Sequence, residues 1–216
     1  TNAESTLLLL KFALKNECKR FVYAGTMSVY GIKPDHPIDE EESCIPQSFY
    51  GVAKLASEHY MRIYQQYGIN STSLRLFNVY GPGQNMLNLR QGMVSIFMAQ
   101  MLEKNHIHIK GNASRFRDFV YIDDVVNSFI QCLYREETWG ENINIAAGRK
   151  TTIRDLLDTL LALYNKEVTT EFSGTTEGDI HGIWANVDKM QSLLGLKNIT
   201  KLEYGLKNML VWASKK

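Results

Sequence analysis

Apolar and polar residues alternate along this chain with two different periods, and the switches between them mark out its elements. From Asn2 to about Asn16 apolar residues recur at helical spacing, and "RFVYAG" after them reads as a strand. The loop "KPDHPIDEEESCIPQ" holds three of the four prolines and an acidic run. A second helix follows from about Phe49 and ends near Tyr67, with Gly68 placed as its C-terminal cap. On it, Val52, Ala56, Tyr60, Ile63 and Tyr67 are expected to form the core-facing stripe. "STSLRLFNVYG" reads as one strand, closed by the turn signal "GPG".

The alternation continues with a helix near Gly92 to Lys104 and strands at "HIHIK" and "DFVYI". A helix then runs from Asp123, its expected N-cap, to about Tyr134. "NINIA" is strand-like, "TTIRDLLDTLLALYN" is a helix capped by Thr151 or Thr152, and "TTEF" is extended. "NVDKMQSLLG", with Asn186 ahead of it as a competent N-cap, and "LEYGLKNMLVWASK" read as closing helices. Strands alternating with helices predict an α/β fold with a largely parallel sheet. Such sheets bind ligands at the carboxyl ends of their strands, which directs attention to the loops after "RFVYAG", "SLRLF", "DFVYI" and "NINIA".

Bulk properties narrow the function class. With 216 residues, 44% hydrophobic and 22% charged, the chain has an ordinary globular composition and room for one large domain or two small ones. A formal charge of +1 gives no reason to expect nucleic acid or an anionic membrane as partner. No apolar run approaches the ~20 residues of a membrane span. Leu7 to Leu10 have no basic segment before them and a charged one after, unlike a signal sequence. Cys18, Cys44 and Cys132 form no C-x-x-C pair or zinc-type cluster, so no metal is expected and a reducing cytoplasm is the simplest setting. His106 and His108 alternate within an apolar run, which marks one face of a strand rather than a metal site.

Tyr50 and Lys54 stand four residues apart and therefore share a helix face. A Tyr-x-x-x-Lys pair arises by chance about once in a chain of this size, so the neighbours must decide its meaning. A nearby ammonium favours tyrosinate, which moves a phenol from its ordinary ~10 towards the range of a general base. Upstream, "VYAGTMSVYG" ends a strand in Thr26 and Ser28, hydroxyls at the sheet edge where ligands bind. The alternative is a Ser/Thr turn closing the strand, beside a solvated surface pair.

These stretches, with "YGVAK", "LRLFNVYGPG", "RDFVYIDDVV" and "NINIAAGRKTTI", resemble in order the extended short-chain dehydrogenase/reductases, the NAD-dependent nucleotide-sugar epimerase/dehydratase family. The resemblance implies the C-terminal portion of a Rossmann-type sheet plus a smaller α/β substrate-binding domain. Residues 1–80 would be the latter part of the dinucleotide-binding domain. Residues 81–216 would mainly bind the nucleotide sugar, with segments near 118–147 returning to the sheet. It makes Tyr50 the catalytic base, Lys54 the ligand of the nicotinamide ribose, and Thr26 the helper at the sugar hydroxyl, with Ser28 beside it. Phe77 and Val79 would line the cofactor, Asn78 the sugar, and Arg117 the diphosphate, while Arg115 reads as solvated.

The implied reaction is 4-epimerisation of a nucleotide-diphosphate sugar, a UDP-hexose above all, by transient oxidation at C4 with NAD; NADP is the alternative cofactor. A nucleotide-sugar reductase or 4,6-dehydratase is the enzymatic alternative, and a non-catalytic sugar-nucleotide binder the alternative of another class. Family dehydratases carry acidic residues where this chain has Met27 and Ser28, which favours epimerisation. Thr176 and Glu177 replace an arginine that many 4-epimerases use on the diphosphate. A glycine-rich G-x-x-G-x-x-G turn, which the family places ahead of residue 1, is absent, so the chain by itself is expected to hold NAD poorly. A homodimer through the helices at about 2–16 and 49–67 is also implied.

Overall fold

The computed structural model describes residues 2–88, 92–174 and 181–215. Helix α1 (Asn2–Lys15) leads into strand β1 (Arg20–Thr26); a short strand β2 (Pro37–Ile38) precedes helix α2 (Phe49–Tyr64). Strands β3 (Asn70–Leu76) and β4 (Asn78–Tyr80) follow, then helix α3 (Met93–Lys104) and strand β5 (His106–Lys110). Strands β6 (Phe116–Arg117) and β7 (Phe119–Tyr121) run into helix α4 (Ile122–Tyr134). Next come β8 (Asn142–Ile145), β9 (Thr151–Thr152), helix α5 (Ile153–Ala162), β10 (Thr169–Ser173) and β11 (Gly182–Ala185). Helices α6 (Asp188–Leu194) and α7 (Leu202–Ala213) complete the order.

The sheet that positions the site has the order β1-β3-β8 and is parallel throughout. Its strands alternate faces. Tyr23 packs with Leu10, Ala13, Met61 and Ile69 under α1 and α2, whereas Leu74, Ile143 and Ile145 pack with Val125, Cys132 and Met190 of α4 and α6. A second sheet, β2-β11-β6-β9, and the pairs β4-β7 and β5-β10 form the rest. Their largest core lies among α3, α5 and α7, with Met98, Met101, Leu156, Leu160 and Leu206 fully buried. Segment 142–145 therefore joins the first sheet, while Pro37–Ile38 crosses to the second by pairing with β11.

Local signals hold in most places. Thr152 caps α5 in a reciprocal capping box with Asp155. Gly68, in the left-handed region at φ 86°, ends the turn after α2. His106 and His108 share one face of β5 and bond Thr169 and Ser173 of β10. Other expectations are corrected. "STSLRLFNVYG" is two strands, because after Leu76 the backbone exchanges partners: Phe77 N–H donates to Ile145 O, and Asn78 N–H to Asp118 O. "DFVYI" does form a strand, β7, and Asp118 separates it from β6. Asp123 is not the cap of α4; Tyr121 precedes the helix, and Asp123 sits in its first turn, where a carboxylate complements the helix dipole. Asn186 stands one residue outside the assigned cap of α6, but its Oδ1 still accepts the Asp188 N–H at 2.8 Å.

The largest correction concerns α2. Its buried residues are Gly51, Ser57, Glu58 and Met61, while Val52, Ile63 and Tyr67 of the expected stripe are exposed. Polar geometry docks this helix. Glu58 Oε1 and Oε2 accept from Arg75 Nε (3.1 Å) and Nη2 (2.8 Å), and Ser73 Oγ donates to the same carboxylate at 2.8 Å. Arg75 Nη1 donates to Tyr30 Oη (3.0 Å), which donates to Asn144 Oδ1 (2.7 Å). Burial works against the Arg75 charge, but the hydrogen bonds and charge of Glu58 outweigh it and hold the guanidinium above its ordinary value. Burial likewise pushes the Tyr30 phenol up, so it stays a donor. Removing one partner of such a pair strands the other charge, a loss of ~3–5 kcal/mol. Urea unfolding of Glu58→Ala and of Arg75→Ala should each show that loss, and Glu58→Leu/Arg75→Met should recover most of it. Single variants within 1 kcal/mol of the parent would contradict this account.

Candidate active site

Strand β1 delivers Thr26 to the carboxyl end of the sheet, where the chain enters a short 3-10 turn (Met27–Val29). Thr26 Oγ1 accepts the Ser28 N–H at 3.2 Å and donates to Ser28 Oγ at 3.2 Å, so the two hydroxyls form one unit. Helix α2 begins beside it. Ser48 caps the helix by accepting the Gly51 N–H. A Cβ on Gly51 would stand 2.6 Å from Ser28 O and 2.8 Å from Pro46 Cβ. The first turn of α2 therefore lies directly on the Thr26–Ser28 turn, and only glycine permits that approach.

Tyr50, the residue before that glycine, is 47% exposed. Lys54, one turn on, points its ammonium back towards the strand. Its Nζ donates to Ala24 O at 2.9 Å and lies 5.6 Å from the Tyr50 ring centroid. Asn78 joins this group from β4. Its Nδ2 donates to Asp118 O at 3.1 Å and contacts Met27 Sδ at 3.7 Å. Asn78 and Val79 then open onto a cavity of about 320 Å³ shared with Gln84, Gly92, Val94 and Phe119. A second cavity, of about 360 Å³, runs along β3 from Ser71 to Arg75 and is lined also by Leu55, Glu58 and Arg62 of α2.

The remaining expected site residues fall elsewhere. Phe77 is buried in a core cluster with Val29, Tyr30 and Ile38. Arg117 is buried on β6, where Nη1 donates to Phe116 O (2.7 Å) and His181 O (3.3 Å). Burial, then the charge of Arg115, pushes its guanidinium down to about 10. Arg115 is not simply solvated: its Nε bonds Asn112 O at 3.2 Å and its Nη2 bonds Lys110 O, closing the turn after β5. Thr176 and Glu177 lie outside the described residues.

Sequence reasoning missed Asp118, which is fully buried. Its carboxylate accepts the N–H groups of Ala147, Gly148, Arg149 and Ala185 at 2.8–3.2 Å. One side chain thereby ties the loop after β8 and strand β11 to the backbone that carries Asn78. The available signal was an aspartate inside an otherwise apolar strand run, a residue type almost never buried without partners. Burial pushes this carboxyl up to about 6, against the pull of its four N–H donors.

A parallel sheet with a hydroxyl turn at its carboxyl edge, and the first turn of α2 packed on it through Gly51, defines a Rossmann-type α/β protein, a fold whose ligands bind at the strand ends. The chain belongs to the NAD dependent epimerase/dehydratase family, whose model matches residues 1–146. An uncharacterized UDP-glucose epimerase of Bacillus subtilis is 30% identical over 214 residues; these cover 99% of this chain and 66% of that protein. The crystal structure of a UDP-glucose 4-epimerase with UDP-glucose from Thermotoga maritima superposes with a TM-score of 0.92 at 33% identity, covering 100% of this chain and 70% of that one. A UDP-glucuronic acid 4-epimerase from Bacillus cereus, in complex with UDP-glucuronic acid and NAD, gives 0.91 at 30% identity, covering 100% and 68%. The chain thus spans about two thirds of the length of the curated relatives it matches.

Asp118 generates a pH dependence with a definite sign. Its folded value of about 6 stands above the ordinary 3.8, so the folded state binds this proton more tightly than the unfolded chain. The contribution is full below about 3.8 and is lost as pH rises through about 6. In urea titrations the stability advantage of the parent over Asp118→Asn should therefore narrow between pH 4 and pH 7, by roughly 2–3 kcal/mol. An advantage that widens over that range would reverse the assignment.

Proposed function

We propose that this chain carries the proton-transfer and sugar-binding groups of an NAD-dependent nucleotide-sugar epimerase, a UDP-hexose 4-epimerase in its simplest form. The observation that carries the reading is the packing of the Tyr50 turn on Thr26–Ser28 through Gly51, with Lys54 one turn behind. A sugar hydroxyl placed at that junction meets a phenol and two hydroxyls together. Lys54 suits a cofactor ribose: an ammonium has three donors, and Ala24 O takes one. NAD, when bound, supplies reversible hydride acceptance at C4 of the sugar. Tyr50 takes the proton of the C4 hydroxyl and returns it to the same oxygen. Thr26 and Ser28 hold that oxygen, Asn78 lines the sugar side, and Arg117 offers its guanidinium to the diphosphate.

Met27 separates this reading from dehydration, because a thioether transfers no proton and its sulfur is occupied with Asn78. A purely binding protein has no need for Thr26, Tyr50 and Lys54 together. The three free thiols support a reducing compartment such as the cytoplasm, and among the described residues no helix is long and apolar enough to cross a membrane. The full reading frame, given NAD with UDP-glucose or UDP-galactose, should interconvert the two sugars on chromatography, and Tyr50→Phe should lower the rate ~10²–10⁴-fold. Undiminished turnover in that variant removes Tyr50 as the base. Net NAD(P)H consumption identifies a reductase, and a 4-keto-6-deoxy product a dehydratase.

The outer faces of α1 and α2 support a homodimer. Leu8, Leu9 and Phe12 of α1, with Val52 and Ile63 of α2, are exposed side chains on neighbouring helices, and Phe12 reaches 65%. Sedimentation should give a dimer for the parent and a monomer for Phe12→Asp. A parent that sediments as a monomer at micromolar concentration would exclude this interface.

A further inference from the structure

Lys54 is held by more than its own motif. Its Nζ lies 4.6 Å from the ring centroid of Tyr23, closer than the 5.6 Å to the Tyr50 ring. Both distances fall within the ~6 Å at which an ammonium is attracted to an aromatic face. Tyr23 precedes Ala24, whose carbonyl accepts from the same Nζ at 2.9 Å. The ring itself is immobilised, because Leu10, Ala13, Met61 and Ile69 pack around it. Its hydroxyl is buried and has no hydrogen-bond partner among the described residues. Burying a hydroxyl unsatisfied is unfavourable, so what this position uses is the ring and not the O–H.

We propose that Tyr23 is a positioning residue for Lys54. A lysine side chain is long and loses much rotamer freedom when fixed. The Tyr23 face and the Ala24 carbonyl together hold the ammonium at the end of β1, within reach of Tyr50, before a ligand arrives. Two of its three donors remain for that ligand. The catalytic meaning of this placement rests on the proposed function; the placement itself does not.

Heteronuclear NMR of the lysine side chains tests it on this chain alone. The Hε/Cε signal missing from Lys54→Arg is that of Lys54. It is expected upfield of the other lysines, because it lies over a ring face, to stay there in Tyr23→Phe, and to return to the ordinary lysine position in Tyr23→Leu. Tyr23→Met serves where the leucine variant does not fold by circular dichroism. An ordinary position in the parent, or an upfield signal that survives loss of the ring, overturns the proposal. In the full reading frame, Tyr23→Leu should weaken NAD binding about tenfold, the effect of losing one well-placed cation–π contact, and Tyr23→Phe should not. Unchanged affinity in Tyr23→Leu overturns the role towards the cofactor. An intact upfield signal in a protein that interconverts no sugars removes the epimerase reading and leaves the positioning in place.

Discussion

The buried Glu58–Arg75 pair is the constraint on which the geometry of the site depends. Both side chains are about 4% exposed. Ions withdrawn from water in this way cost several kcal/mol each, and their attraction offsets the cost only when every remaining donor and acceptor is matched. Here they are. Ser73 takes a share of the carboxylate, Tyr30 receives the third guanidinium nitrogen, and Asn144 accepts from Tyr30. Asn144 in turn donates from Nδ2 to Ile38 O and from its backbone to Glu40 Oε1. One polar network thus joins helix α2, strands β3 and β8, and the acidic loop after the Thr26 turn. Each of those elements delivers or flanks a residue of the candidate site.

The close approach that the network requires is paid for in side-chain size. A Cβ on Gly25 would fall 2.4 Å from Ser73 Oγ, and one on Gly51 would strike Ser28 O. Ser57, also fully buried, bonds Thr6 of α1 and Ala53 O of its own helix. Gly51 and Ser57 on the inner face of α2 therefore allow close approach to the Thr26 turn and to α1. That approach sets the first turn of α2, which carries Tyr50, on the Thr26–Ser28 turn, and Lys54 reaches the Ala24 carbonyl of β1.

Much of this was legible in the sequence, and the failures share one cause. Element order, the parallel sheet and the placement of Thr26 at a strand end and of Tyr50 and Lys54 one turn apart on a helix all follow from local pattern, because strand alternation, caps and motif spacing are local properties. The partner exchange at Phe77 is not local: it depends on β8 and β7, which lie far along the chain. Asp118 was overlooked for the same reason, since its four donors come from residues 147–149 and 185. The core around Phe77 is likewise built by the distant β2–β11 pairing.

Helix α2 misled most, because part of its inner face is polar and part of its apolar stripe faces out. Val52 and Ile63 look outward while Ser57 and Glu58 look in. Apolar packing tolerates sliding and rotation, since one methyl group substitutes well for another. An ion pair with directed hydrogen bonds does not. Turning α2 by a single residue, about 100°, would bury an unpaired carboxylate or leave Arg75 stranded. A buried pair is a poor source of net stability but a strict specifier of register, and register is what a tyrosine and lysine one turn apart demand. The outward apolar face follows from this: with Glu58 and Ser57 turned inward, Val52 and Ile63 are left exposed, while Met61 remains in the core under the helix.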